Sequence, residues 1–142
     1  MAKNARDLNI SRIIQSVTAD PAAGANATLT TPGLRSNIII AVSFTLTTDA
    51  NVANRDVHLQ WHHGATQRDI GLMGVVQPSS FTFHYLFAPG LSPYIAANTS
   101  YRSGLLAYPI DFQAADTLEI VVDTIQATDQ LSLITHWWNV FY

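Results

Sequence analysis

Apolar and polar residues alternate with a period of two along most of this chain, as expected for strands with one buried face. The longest such run is Asn37 to Thr48. Ile38, Ile40, Val42, Phe44 and Leu46 share one face there, and Ile39, Ala41, Ser43, Thr45 and Thr47 the other. Arg55 to His62 follows the same rule, with Val57, Leu59 and Trp61 inward and Asp56, His58, Gln60 and His62 outward. In Phe81 to Phe87 the residues Phe81, Phe83, Tyr85 and Phe87 line one face. Near the C-terminus Leu118, Ile120 and Val122 oppose Thr117, Glu119 and Asp123. A polar turn, Gln126 to Gln130, then leads into a last strand ending HWWNVFY.

Weaker segments complete the pattern. Leu8 to Ala19 alternates imperfectly, Asn26 to Thr31 is a short Thr-rich strand, and Ile70 to Val76 is broken by Gly71 and Gly74, which predicts a bend or bulge. Turn-forming clusters separate them, such as Asp20-Pro21, Pro32-Gly33 and Gln77-Pro78. Pro89 to Ser103 has no clean period and reads as a long excursion. No helix is predicted. The expectation is an all-β fold, a jelly-roll-like antiparallel β-sandwich of about eight strands. Residues 1–7 form a polar, flexible N-terminal arm, and residues 8–142 a single domain.

Composition strengthens this reading. Charged residues make up 12%, about half the usual quarter, with one Lys (Lys3) and one Glu (Glu119) in the chain. Helices that face solvent depend on Glu and Lys, so their scarcity favours strands. A surface this poor in charge also suits contact with other protein. The formal net charge of −3 and singly scattered arginines give no footprint for nucleic acid. No apolar run reaches membrane-spanning length and MAKNARDLNIS lacks the apolar core of a signal peptide. Cysteine is absent, which excludes disulfides, thiolate catalysis and Cys-based metal sites.

Candidate chemistry is sparse. His62 and His63 are adjacent and point oppositely on a strand, and His58, Gln60 and His62 lack the His-x-His spacing of a jelly-roll metal site. Most carboxylates fall in turns, and neither a phosphate-binding Gly loop nor a nucleophile elbow occurs. The expectation is therefore a non-enzyme, with no catalytic residue, metal or cofactor. Trp137 and Trp138 point to opposite faces, so one of them leaves the inner face of its sheet. With Phe141 and Tyr142 they are interface candidates, as are Arg6 and Asp7 in the arm and Tyr94 and Tyr101 in the long segment. Tyr94 and Tyr101 beside Asn98 suit an alternative, a carbohydrate- or receptor-binding module.

The run SNIIIAVSFTLTTDANVANRDVHLQW, the strand end FAPG and the segment DTLEIVVDTIQATDQLSLI together resemble small virion proteins of tailed bacteriophages. The resemblance covers most of Asn37 to Ile134 and rests on strand and turn signatures. It implies a jelly-roll virion component such as a capsid decoration (cement) protein, with a head-fibre or tail module as other uses of the fold. Its implied partners are further copies of itself, as a dimer or trimer, and a major capsid or other virion protein. Its implied location is the virion, after synthesis in the host cytoplasm.

Overall fold

The computed structural model describes residues 11–32, 36–73, 76–95, 100–107 and 110–141. The N-terminal arm, with Arg6 and Asp7, lies outside them, as do Asn98 and Tyr142. The strands are β1 (Ser11–Val17), β2 (Ala27–Thr30), β3 (Asn37–Thr47), β4 (Asp56–His63), β5 (Thr66–Leu72) and β6 (Thr82–Ala88). They continue with β7 (Tyr94–Ile95), β8 (Tyr101–Leu106), β9 (Asp111–Phe112), β10 (Thr117–Asp123) and β11 (Gln130–Phe141). No helix occurs among the described residues.

All eleven strands join one hydrogen-bonded sheet in the order β1-β11-β3-β6-β8-β5-β4-β10-β2, with β7 on β8 and β9 on β3. The sheet curls so that its inner face packs on itself. Phe112 shows this: its ring meets Trp138 of β11 edge-on at 5.1 Å and Trp61 of β4 at 6.3 Å, although those strands lie far apart in the sheet. One core cluster draws residues from nine of the strands, among them Leu29, Phe44, Leu59, Phe87, Leu118 and Trp138. The architecture is thus the all-β, jelly-roll-like sandwich that the alternation predicts. Its halves are continuous rather than separate sheets, and β6 and β8 run parallel.

The long segment Pro89 to Ser103 is no plain excursion. It carries β7 and the start of β8, and β8 inserts between β6 and β5 in mid-sheet. Gly104 makes the insertion possible, because a Cβ there would lie 2.5 Å from the Phe87 ring. Alternation missed β8 because a glycine occupies one of its inward positions.

Two bulges reset the phase of the longest strands. In β3 the pairing slips at Ile40, so Ile39 is buried in place of Ile38 and Ile40, while Val42, Phe44 and Leu46 stay inside. In β11 the slip falls between Ser132 and Thr135. Leu133 there takes a left-handed backbone (φ 53°), points its side chain to solvent, and donates its N–H to Asp20 at 3.0 Å. The bulge turns Ile134, His136, Trp138 and Val140 inward; without it Leu133, Thr135 and Trp137 would be the buried set.

At one end of the sandwich four connections meet around Arg55 and Asp129, both fully buried. The Arg55 Nε and Nη2 groups donate to the two Asp129 carboxylate oxygens at 2.8 and 2.9 Å. Nη2 also donates to Asp49, and Nη1 to the carbonyls of Asn51 and Ala53, so all five N–H groups are used. Asp129 further accepts the backbone N–H of Asp49 and of Gln126. Burial alone would raise the Asp129 carboxyl, but these hydrogen bonds and the guanidinium charge outweigh it and hold its pKa below the ordinary value.

Removing either partner leaves a buried charge uncompensated, so Arg55→Met and Asp129→Ala are each expected to lower stability by about 3–5 kcal/mol in urea unfolding. Leu133→Gly should act in the other direction. It relieves a left-handed L-residue whose side chain packs on nothing inside, with an expected gain of about 1 kcal/mol and a higher Tm by calorimetry.

Candidate functional site

The curled sheet presents two outer faces of opposite character. Strand alternation and register assign to the outer side of β1, β11, β3, β6 and β8 such residues as Ile13, Val17, Trp137, Ser43, Leu86 and Tyr101. Along these five strands that face carries no Asp, Glu, Lys or Arg. The arginines of its strands, Arg12 and Arg102, have the other parity; Arg102 lies over the inner Phe83 ring at 3.8 Å. The outer side of β5, β4 and β10 instead carries Asp69, His58, His62, Glu119 and Asp123.

On the uncharged face the middle strand β3 has small side chains, Ala41, Ser43 and Thr45, flanked by larger ones. The result is a groove of about 320 Å³ lined by Ser43, His84, Leu86, Tyr101, Ser103 and Trp137, with Tyr85 and Arg102 reaching its wall from the strands beneath. Its walls are ordered by short contacts. Thr45 Oγ1 hydrogen-bonds His84 Nδ1 at 2.8 Å, the His84 ring packs 5.2 Å from that of Tyr101, and Ser103 donates to the Ser92 carbonyl at 2.9 Å. Tyr101 is 68% exposed and Leu86 41%, so both offer their surface to a partner.

The structure brings Trp137 and Tyr101 together at this groove and separates them from Trp138. Trp138 is fully buried, so it leaves the set of interface candidates and joins the core. Phe141 is half-buried on the same outer side as Trp137, opposite Ser11 of the edge strand. Tyr94 opens β7 beside Ser103, and its side chain lies outside the described residues. Leu86, Ser43 and His84 were not foreseen as site residues. Their positions in β3 and β6 were legible, but which strands would stand beside β11 and β8 was not.

The histidines fall into separate settings. His58 sits 3.6 Å from Asp69 and 3.9 Å from Asp123, and His62 lies 3.0 Å from Glu119. Among the described residues no three His, Asp or Glu side chains gather as a cation site. His63 is exposed and its Nδ1 hydrogen-bonds Asp116 at 2.6 Å. Asp116 also accepts Trp61 Nε1 and the Gln113 N–H; burial pushes its carboxyl up, and these bonds more than reverse that. Such a His–Asp pair can orient a base. Among the described residues no hydroxyl hydrogen-bonds the other ring nitrogen, and the pair fastens the turn into β10.

His136 is a core residue. Its Nδ1 accepts the Trp138 indole N–H, so Nε2 carries the proton and faces Thr18 Oγ1 at 2.9 Å. Burial depresses its pKa from 6.5 to about 4. Between those values the unfolded chain binds a proton that the folded chain refuses, so stability is full above pH 6.5 and falls as pH drops toward 4. The loss attributable to His136 is expected to reach about 3 kcal/mol at pH 4. It should appear as the difference between wild type and His136→Gln in denaturant unfolding followed across that range.

Compared with protein-family models, with curated proteins and with solved structures, the chain matches none.

Proposed function

We propose that this chain is a non-enzymatic structural protein of a virion, a decoration (cement) protein that docks on a capsid lattice through the outer face of β1, β11, β3, β6 and β8. The observation that carries this reading is that the outward positions of five adjacent strands include no Asp, Glu, Lys or Arg, with Trp137, Leu86 and Tyr101 exposed or half-exposed among them. Charged residues are depleted and aromatic residues enriched at the centre of protein interfaces. A face built this way loses little by leaving water and fits a partner surface of similar polarity. The strand and turn resemblance of Asn37 to Ile134 to phage virion proteins supplies the class of partner.

A second reading draws on the groove itself. Two aromatic side chains, Trp137 and Tyr101, border a floor that includes the Ser43 and Ser103 hydroxyls, an arrangement on which a sugar ring can stack. A glycan array with wild type and Tyr101→Ala distinguishes it, since a carbohydrate site gives hits that the variant loses.

For the virion reading, washed particles from cells that produce the chain are expected to contain it at a fixed ratio to the major shell protein by mass spectrometry. Trp137→Asp and Leu86→Asp should each weaken rebinding to stripped particles at least tenfold, about 1.4 kcal/mol, whereas Gln60→Glu on the opposite face should not. Particles devoid of the chain, or rebinding indifferent to both substitutions, would overturn it.

A further inference from the structure

We infer that the chain forms a twofold homodimer by antiparallel pairing of β1 with β1 of a second copy, the axis passing through Gln15. The inference concerns the sheet edge and stands independently of the virion reading.

β1 ends the sheet: it pairs with β11 on one side, and among the described residues nothing pairs with the other. The orientation of its free groups follows from one bond. Thr18 donates its N–H to the Ile134 carbonyl at 3.1 Å, so Thr18, and by alternation Ser16, Ile14 and Arg12, turn their backbone groups toward β11. Ser11, Ile13, Gln15 and Val17 therefore turn theirs outward, a row of donors and acceptors available to another strand.

Most edges are guarded. The opposite edge, β2, is four residues long and is soon followed by Pro32. β1 has seven residues and keeps regular register with β11 over its whole length. It contains neither Lys, Pro nor a bulge, devices that block edge pairing, and its one charge, Arg12, stands at the second position of the strand, away from its centre. It also leaves Ile13 67% and Val17 73% exposed, next to the free edge.

What selects a second copy as the occupant is the symmetry of this strand about Gln15. A twofold axis there sets Ile13 of one copy opposite Val17 of the other, and Val17 opposite Ile13, on the outer face. Gln15 meets Gln15, and about six backbone hydrogen bonds form, two at each narrow pair. Arg12, the one charged residue of β1, falls opposite Thr18 and meets no like charge. An axis through Ile14 would instead set Ile13 against Gln15, and one through Ile13 would leave Val17 beyond the paired segment. Only the Gln15 axis covers both exposed apolar side chains with each other. Because Gln15 is level with Trp137 in the β1–β11 register, the two uncharged outer faces then join across the axis as one surface.

Light scattering of the full chain, measured over a wide concentration range, reads this directly. The expected mass is twice 15.5 kDa, about 31 kDa. Val17→Lys should shift it to 15.5 kDa without loss of the folded circular-dichroism spectrum, because the side chain it replaces is exposed. Gln15→Cys supplies the second measurement: the natural chain has no cysteine, so any disulfide must join two copies. Mild oxidation should cross-link this variant and leave Gln67→Cys, an exposed control on β5, uncross-linked. A monomer at every concentration, or a trimer, would overturn the inference. So would a dimer that survives Val17→Lys and does not cross-link through Gln15→Cys.

Discussion

The buried pair of Arg55 and Asp129 is the constraint on which one whole end of the sandwich depends. Neither side chain touches solvent, and each draws hydrogen bonds from a different connection. Arg55 gathers the loop after β3 through Asp49, Asn51 and Ala53, and its own backbone pairs with Gln77 ahead of β6. Asp129 accepts from Gln126 in the last turn, and its carbonyl accepts the Gly24 N–H from the β1–β2 connection at 2.8 Å. Gly24 can make that approach because it has no side chain; a Cβ would stand 2.8 Å from Ala127 Cα. An ion pair in such a place contributes little net energy after desolvation, but a wrong partner would leave an uncompensated charge, so it selects the arrangement of loops.

The same end continues into a neutral network. Gln77 is fully buried, donating to the carbonyls of Leu46 and Phe81 and accepting the Tyr85 hydroxyl at 2.7 Å. Thr48 bonds Phe81 in both directions and the Pro78 carbonyl as well. With the loops tied in this way, β3, β4, β6 and β11 leave a common anchored end, and the bulges at Ile40 and Leu133 decide which of their residues face inward. Trp137 reaches the outer face, where the groove lies, because the Leu133 bulge puts Trp138 in the core.

Segregation of charge follows from that geometry. The outer side of β4, β5 and β10 carries Asp69, Glu119, Asp123 and two histidines, while the outward residues of β1, β3, β6, β8 and β11 include no Asp, Glu, Lys or Arg. The other side holds the aromatic groove and ends at the long, regular edge strand β1, which is why both functional readings and the proposed homodimer converge on it.

Much of this was written in the order of residues. The alternation in β3, β4, β6 and β10, the missing Glu and Lys, and the absence of any helical period determine an all-β sandwich with Phe44, Leu59, Phe87 and Ile120 inside, since burial on one face of a strand leaves a period-two trace. Trp137 stood out with Trp138 because adjacent strand residues point to opposite faces, and Tyr101 because it is an aromatic residue in a long segment without a period. Other features have no local trace. Arg55 meets Asp129 across 74 positions, β8 is placed between β6 and β5 by a glycine that fits against Phe87, and each bulge inverts a face without altering composition. Those depend on which strands become neighbours and in what register. Only the folded sheet decides that, because pairing energy belongs to residues far apart in the chain.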